Sequence, residues 1–184
     1  MENGIKRDIR LVGLDLDGTV FTDEKTITPA TRDAIARAVR AGVAVLPVTG
    51  RPRSGLPEEV LAIPGVRYAI TSNGAMCEDL AEDKVLVRLA MDEETAMRAL
   101  RIAEKYDVVI DIYIDGQAYT AADSMRLVQT HVPESFRPYF LKTRRLVEDR
   151  GRFLRQTGRG AEKFTILFQD MAQRAAAWKE FEHT

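Results

Sequence analysis

The hydrophobic positions of this chain fall into short runs with clear endings. Ile9–Leu14 is a mostly apolar run closed by Asp15-Leu16-Asp17-Gly18-Thr19, the pattern of a buried strand feeding a polar loop. Thr28-Pro29 follows, a capping residue with proline at the first helical position. Ala34, Ile35, Ala38 and Val39 then recur at helical spacing until Gly42. Val43–Val48 is a second strand-like run, ending in Thr49-Gly50-Arg51, and a short helix is expected over Glu58–Ala62. Tyr68–Thr71 is a third strand, ending in Ser72-Asn73-Gly74. Strand, helix, strand, helix, strand predicts a parallel α/β sheet. All three polar loops follow strand carboxyl ends, where such sheets place ligands.

Beyond residue 80 the pattern changes. Lys84–Leu89 alternates like half of a hairpin, and Met91–Tyr106 is amphipathic, with Asp92 as cap and Ala96, Leu100 and Ala103 on one face. Val108–Ile114 and Gln117–Thr120 flank the tight-turn pair Asp115-Gly116. Helix is expected near Ser124–Thr130, a proline-interrupted stretch over Val132–Leu141, helix over Leu146–Gln156, strand over Lys163–Phe168 and helix over Met171–Phe181. The expected domains are therefore an α/β unit over residues 1–80 and an α+β unit over 81–184.

Composition narrows the function classes. With 45% hydrophobic and 30% charged residues the chain can bury a core. A net charge of −1, from 27 basic and 28 acidic residues, argues against nucleic acid as the main partner. No run approaches the roughly 20 apolar residues of a membrane span. Met1–Arg10 lacks the apolar segment of a signal peptide. Cys77 is alone, which fits a reducing compartment and a packing role, so the expected location is cytoplasmic. His131 and His183 are too isolated for a metal cluster. Arg144, Arg145, Arg150, Arg152, Arg155 and Arg159 read as a solvated basic helix face, and Trp178 and Phe181 as packing for the last helix.

The chemistry lies in Asp15-x-Asp17-Gly18-Thr19. A turn at Gly18 can bring both carboxylates to the strand end. One can attack phosphorus while the other moves a proton. Loop N–H groups can cradle phosphoryl oxygens, Thr49 can donate a hydroxyl hydrogen bond from the neighbouring strand, and a hard cation such as Mg²⁺ suits the carboxylate oxygens. The bland reading is a polar turn; the apolar run before it and the matching Thr49-Gly50-Arg51 favour chemistry.

Asp15-Leu16-Asp17-Gly18-Thr19 resembles motif I of the haloacid-dehalogenase-like (HAD) hydrolases, and Val48-Thr49-Gly50-Arg51 resembles motif II. Thr71-Ser72-Asn73-Gly74-Ala75 is similar to a segment of the Cof-type branch, which inserts an α/β cap after the third core strand. The resemblance implies a Rossmann-like α/β core with an inserted α+β cap domain, and a Mg²⁺-dependent phosphatase of small phosphorylated metabolites, often sugar phosphates. It implies Asp15 as nucleophile, Asp17 as general acid/base, and Mg²⁺ held by the Asp15 side chain and the Asp17 carbonyl. Gly18, Thr19, Thr49 and Gly50 would bind phosphate, and Arg51 and Asn73 would face substrate.

The motif III lysine and the motif IV acids of Gly-Asp-x-x-Asn-Asp are not found. The core's second half is therefore expected to be incomplete, with weak metal binding and little activity, and with the Ile9–Leu14 edge open to association between copies. Lys163 is read as a cap-strand residue rather than as motif III. Asp111, Tyr113 and Asp115 alternate along a cap strand, and surface charge is expected for Glu148, Asp149 and Asp170. Two alternatives stand beside the phosphatase: a catalytically weak phosphate-binding or interaction remnant, and a sugar phosphomutase.

Overall fold

In a computed structural model of the chain, residues 8–182 are described; His183 lies outside them. The chain divides into two compact units. One comprises the residues up to Gly50 with Leu56–Val87, the other Arg51–Gly55 with the residues from Arg88 onward.

The first unit carries the expected parallel arrangement. β1 (Leu11–Leu14) leads through α1 (Pro29–Arg40) to β2 (Ala44–Pro47), which pairs parallel with β1 from Leu11↔Ala44 to Leu14↔Pro47. α2 (Glu58–Leu61) precedes β3 (Tyr68–Thr71), joined to the β2 end by a parallel bridge between Val48 and Ile70. β4 (Met76–Asp79) returns antiparallel to β3, and β5 (Lys84–Arg88) lies beyond β4. α1 starts where its sequence dictates: the Thr28 side chain accepts the Thr31 N–H at 3.1 Å, and Pro29 needs no donor in the first turn. It stops before Gly42, whose φ of +81° suits glycine. Leu16, Val20, Ile35, Val45, Val60 and Ala69 form the core. Burying one of the Leu, Val or Ile side chains contributes about 1.5–3 kcal/mol. Among the described residues β1 pairs only with β2, and Ile9 and Leu11 are 60% and 62% exposed.

The second unit is built on β6 (Val108–Ile114), which pairs antiparallel with both β7 (Gln117–Ala121) and β9 (Lys163–Phe168). β8 (Arg144–Val147) joins β7 in parallel, giving the order β8-β7-β6-β9. Its helices are α3 (Glu93–Ala103), α4 (Val128–His131), α5 (Arg137–Thr143), α6 (Arg150–Thr157) and α7 (Met171–Phe181). The alternation of β6 divides the packing. Val108, Ile110, Ile112 and Ile114 meet Ala96, Leu100 and Leu154, whereas Val109 meets Val128, Val132 and Phe140. The Asp92 carboxylate caps α3 by accepting the Thr95 N–H at 2.7 Å. Asp115 and Gly116, at φ +50° and +69°, make the expected tight turn between β6 and β7.

Several sequence expectations fail here. Residues 144–147 form strand β8, and helix starts only at Arg150, because pairing with β7 captures the segment that helical spacing alone would extend through. The proline-interrupted stretch contains α5, which accepts Pro138 in its first turn. Ala122–Leu127 is a tight 3₁₀ segment before α4 rather than one helix. Arg144 is not on a solvated helix face: it is buried on β8. The strand expectation for Lys163 holds, whereas Trp178, expected to pack the last helix, is 62% exposed. Lys163 lies on β9. His131 is buried, its ring nitrogens 2.9 Å from Thr130 Oγ1 and from the Asp107 carbonyl oxygen. Cys77 is half-buried on β4. No described helix is long and apolar enough to cross a membrane.

Candidate active site

Three strand ends of the first unit supply the candidate groups. Asp15 follows β1 with extended backbone (φ −68°, ψ 145°), and the chain then makes a wide turn closed by Phe21 N–H donating to the Leu16 carbonyl at 2.9 Å. Leu16, Val20 and Phe21 anchor this turn in the core. Asp15, Asp17 and Thr19 are left exposed. Gly18 stands at φ +80°, where a side chain is strained although nothing lies within 4 Å of the position its Cβ would take. Its backbone conformation, not lack of space, selects glycine. Thr19 Oγ1 donates to Asp15 Oδ2 at 3.4 Å, holding one oxygen of that carboxylate.

The neighbouring strand ends are tied to this loop through the backbone. Val48 N–H donates to the Leu14 carbonyl at 2.8 Å, which fixes Thr49 two residues beyond the end of β1's partner. Thr49 is buried; its N–H donates to the Ile70 carbonyl at 2.9 Å, and its own carbonyl accepts the Asn73 N–H at 3.2 Å. After β3 the residues Ser72, Asn73 and Gly74 all have positive φ, at +53°, +60° and +96°. Non-glycine residues with positive φ cost on the order of 1–3 kcal/mol each and concentrate at functional sites. Asn73 is exposed on this turn. The structure thus brings Asp15, Asp17, Gly18, Thr19, Thr49, Gly50 and Asn73 to the carboxyl ends of three adjacent strands. Arg51 belongs to the second unit, where its guanidinium lies 4.3 Å from the centre of the Tyr139 ring and donates to the Gly55 carbonyl at 3.3 Å.

Two groups at the strand ends escape sequence reasoning. Lys25 Nζ lies 3.4 Å from Asp17 Oδ1, brought there by a turn in which Lys25 N–H donates to the Thr22 carbonyl. The polar run Asp23-Glu24-Lys25 signals a turn but not its direction. Ser72 is 2% exposed, and its Oγ has no hydrogen-bond partner. Nothing in the sequence marks it.

Among the described residues no group of three or more His, Cys, Asp or Glu side chains is placed to hold a metal ion. Asp15 and Asp17 still fit Mg²⁺ in kind. They offer oxygen donors on one exposed loop, and this ion is commonly held by one or two carboxylates plus water and substrate phosphate.

A pair of loop carboxylates at the carboxyl edge of a parallel sheet, beside a threonine and a strained Ser-Asn-Gly turn, places the candidate site where α/β proteins bind their ligands. Residues 12–183 match the haloacid dehalogenase-like hydrolase family, and the chain belongs to it. It is similar to pyridoxal phosphate phosphatase YbhA of Escherichia coli (strain K12), 27% identical over 179 residues, which cover 95% of this chain and 64% of that protein. It is also similar to 5-amino-6-(5-phospho-D-ribitylamino)uracil phosphatase YwtE of Bacillus subtilis (strain 168), 28% identical over 117 residues, 62% of this chain and 39% of that one. The chain spans less than two thirds of the length of either relative. Among solved structures, a haloacid dehalogenase-like hydrolase from B. subtilis superposes with a TM-score of 0.73 at 19% identity, covering 96% of this chain and 67% of that one. The HAD subclass IIB sugar phosphatase BT4131 gives 0.73 at 17%, covering 94% and 64%. The structural likeness confirms the fold: a Rossmann-like α/β core of the HAD type.

Proposed function

We propose that the protein hydrolyses phosphomonoesters of small metabolites, sugar phosphates among them, through a covalent aspartyl-phosphate on Asp15. The convergence of Asp15, Asp17, Thr49 and Asn73 at adjacent strand ends carries this reading, and the phosphatase names of the relatives support it. In the first step a carboxylate oxygen of Asp15 attacks phosphorus while the ester C–O oxygen leaves with a proton from Asp17. In the second, Asp17 takes a proton from water as that water attacks the aspartyl-phosphate, releasing inorganic phosphate and restoring Asp15. Thr49, Thr19 and the N–H groups around Gly18 and Gly50 hold the phosphoryl oxygens, and Asn73 faces the organic part. Mg²⁺, held by the Asp15 carboxylate and the Asp17 carbonyl, would supply positive charge against the phosphate.

In this reading the first unit is the catalytic core, the second is the cap, and the protein works in the cytoplasm. The free β1 edge, apolar and without lysine or proline from Ile9 to Asp15, is where copies of the chain associate. The test is turnover of p-nitrophenyl phosphate and of a sugar-phosphate panel with and without Mg²⁺, for wild type and Asp17→Asn. Turnover that depends on Mg²⁺ and falls by a hundredfold or so in the variant is expected. An Asp17→Asn protein as fast as wild type would remove Asp17 from proton transfer.

A further inference from the structure

A cavity of about 190 Å³ lies wholly within the second unit, apart from the groups that the proposed hydrolysis uses. Its lining carries both signs of charge, Arg126 and Arg150 against Glu104, Asp107 and Asp123. Arg150, at the start of α6, is the inner group, its side chain 11% exposed. Its Nη1 donates to the hydroxyl of the buried Ser124 at 2.8 Å. Its Nε is buried with no hydrogen-bond partner among the described residues, and Glu104 Oε1 stands 3.6 Å away, an ion pair too long for a hydrogen bond. The three acids are exposed and thinly partnered. Asp123 accepts the Ser124 hydroxyl at 3.4 Å, and Asp107 Oδ2 lies 3.8 Å from Nε2 of the His131 ring.

From this arrangement we propose that the cavity binds a small zwitterion of the α-amino-acid class, with its carboxylate on Arg150 and its ammonium among Glu104, Asp107 and Asp123. The lining selects for both charges at once. One edge of a guanidinium offers parallel N–H donors to a carboxylate, and the buried Nε needs such an acceptor. A plain carboxylate or phosphate satisfies that edge but must also approach three acids. A plain amine is drawn to the acids and leaves the Nε unmatched. A ligand carrying both groups on one carbon answers both needs. Glu104, being exposed, makes room for it. By turning from Nε to the ligand's ammonium it exchanges a long ion pair for a close one and frees the edge that the carboxylate takes. Size selects as well. The volume is below the roughly 300–1,000 Å³ of pockets for drug-sized ligands, so the side chain is short. Val108 and Ile110, 5% and 1% exposed, line the same cavity and suit a methyl group better than a further charge.

The test is titration calorimetry on the full chain with L-alanine, propionate and ethylamine. The last two keep the alanine skeleton and lack the ammonium or the carboxylate. Saturable binding of L-alanine in the millimolar range, about tenfold tighter than either single-charge probe, is expected. Arg150→Gln should weaken alanine binding by about tenfold or more. Because Arg150 is mostly buried, a second variant guards against a folding defect. Asp123→Asn combined with Glu104→Gln alters exposed side chains, and its fold is checked by circular dichroism. It should weaken alanine several-fold while propionate binds as well as before or better. A loss of stability alone would weaken both probes together. Absence of saturable alanine binding, propionate or ethylamine binding as tightly as alanine, or full alanine affinity in either folded variant overturns the proposal. The readout is binding without turnover, so neither outcome bears on the phosphatase reading.

Discussion

Arg144→Met should make the second unit's stability strongly pH-dependent. In the native protein Arg144 and Asp111 have side chains 2% and 1% exposed and meet through two contacts to one carboxylate oxygen, while the other oxygen, Oδ1, has no partner. Burial pushes the Asp111 carboxyl up from its ordinary range, with the Arg144 charge pulling it back. The paired Arg144 contacts and the nearby Lys163 charge favour its ionised form against that burial. Methionine fills much of the space but removes the carboxylate's contacting counter-charge and leaves only the more distant Lys163, a change that typically costs up to about 3–5 kcal/mol. The sign follows from linkage. In the variant the folded-state pKa of Asp111 rises further above the unfolded value of about 3.9, so the folded state resists ionisation. Below the unfolded pKa the penalty disappears. Above it the penalty grows by about 1.4 kcal/mol per pH unit until the folded pKa is reached. Urea denaturation followed by circular dichroism at pH 7 and pH 4.5 should therefore show a large loss at pH 7 and a much smaller one at pH 4.5. Adding Asp111→Asn to Arg144→Met should recover part of the loss at pH 7. Equal destabilisation at both pH values would refute the reasoning, because only an ionised Asp111 makes the cost depend on pH.

Asp92→Ala removes the α3 cap and should cost about 1 kcal/mol in the same denaturation assay, with glycine at that position costing less. Gly18→Ala should lower stability by about 1 kcal/mol through its positive φ alone and should disturb phosphate binding in calorimetry with inorganic phosphate. Light scattering over a range of concentrations should show association that Leu11→Lys suppresses; a wild-type chain that stays monomeric throughout would contradict the role given to the β1 edge.

What could be read from the sequence depended on how local its cause is. Thr28-Pro29 and Asp92 marked the starts of α1 and α3 because a cap acts within one turn. Asp15, Thr49 and Asn73 were placed at strand ends by the apolar runs ahead of them, and the topology brought those ends together. Strand β8 was hidden because Arg144-Arg145-Leu146-Val147 becomes a strand only by pairing with β7, and no local pattern records that partner. The burial of Arg144 was hidden for the same reason, since it requires Asp111 from a strand 33 residues away. Lys25 beside Asp17 depends on the closing direction of one loop, which composition leaves open.

The central claim is that Asp15 forms the covalent intermediate. The most direct measurement is peptide mapping by mass spectrometry after the protein is mixed with a phosphomonoester and Mg²⁺ and rapidly quenched in acid. Phosphate on Asp15, absent from Asp15→Asn, is the expected result. Phosphate on another residue, or hydrolysis by Asp15→Asn at the wild-type rate, would contradict it.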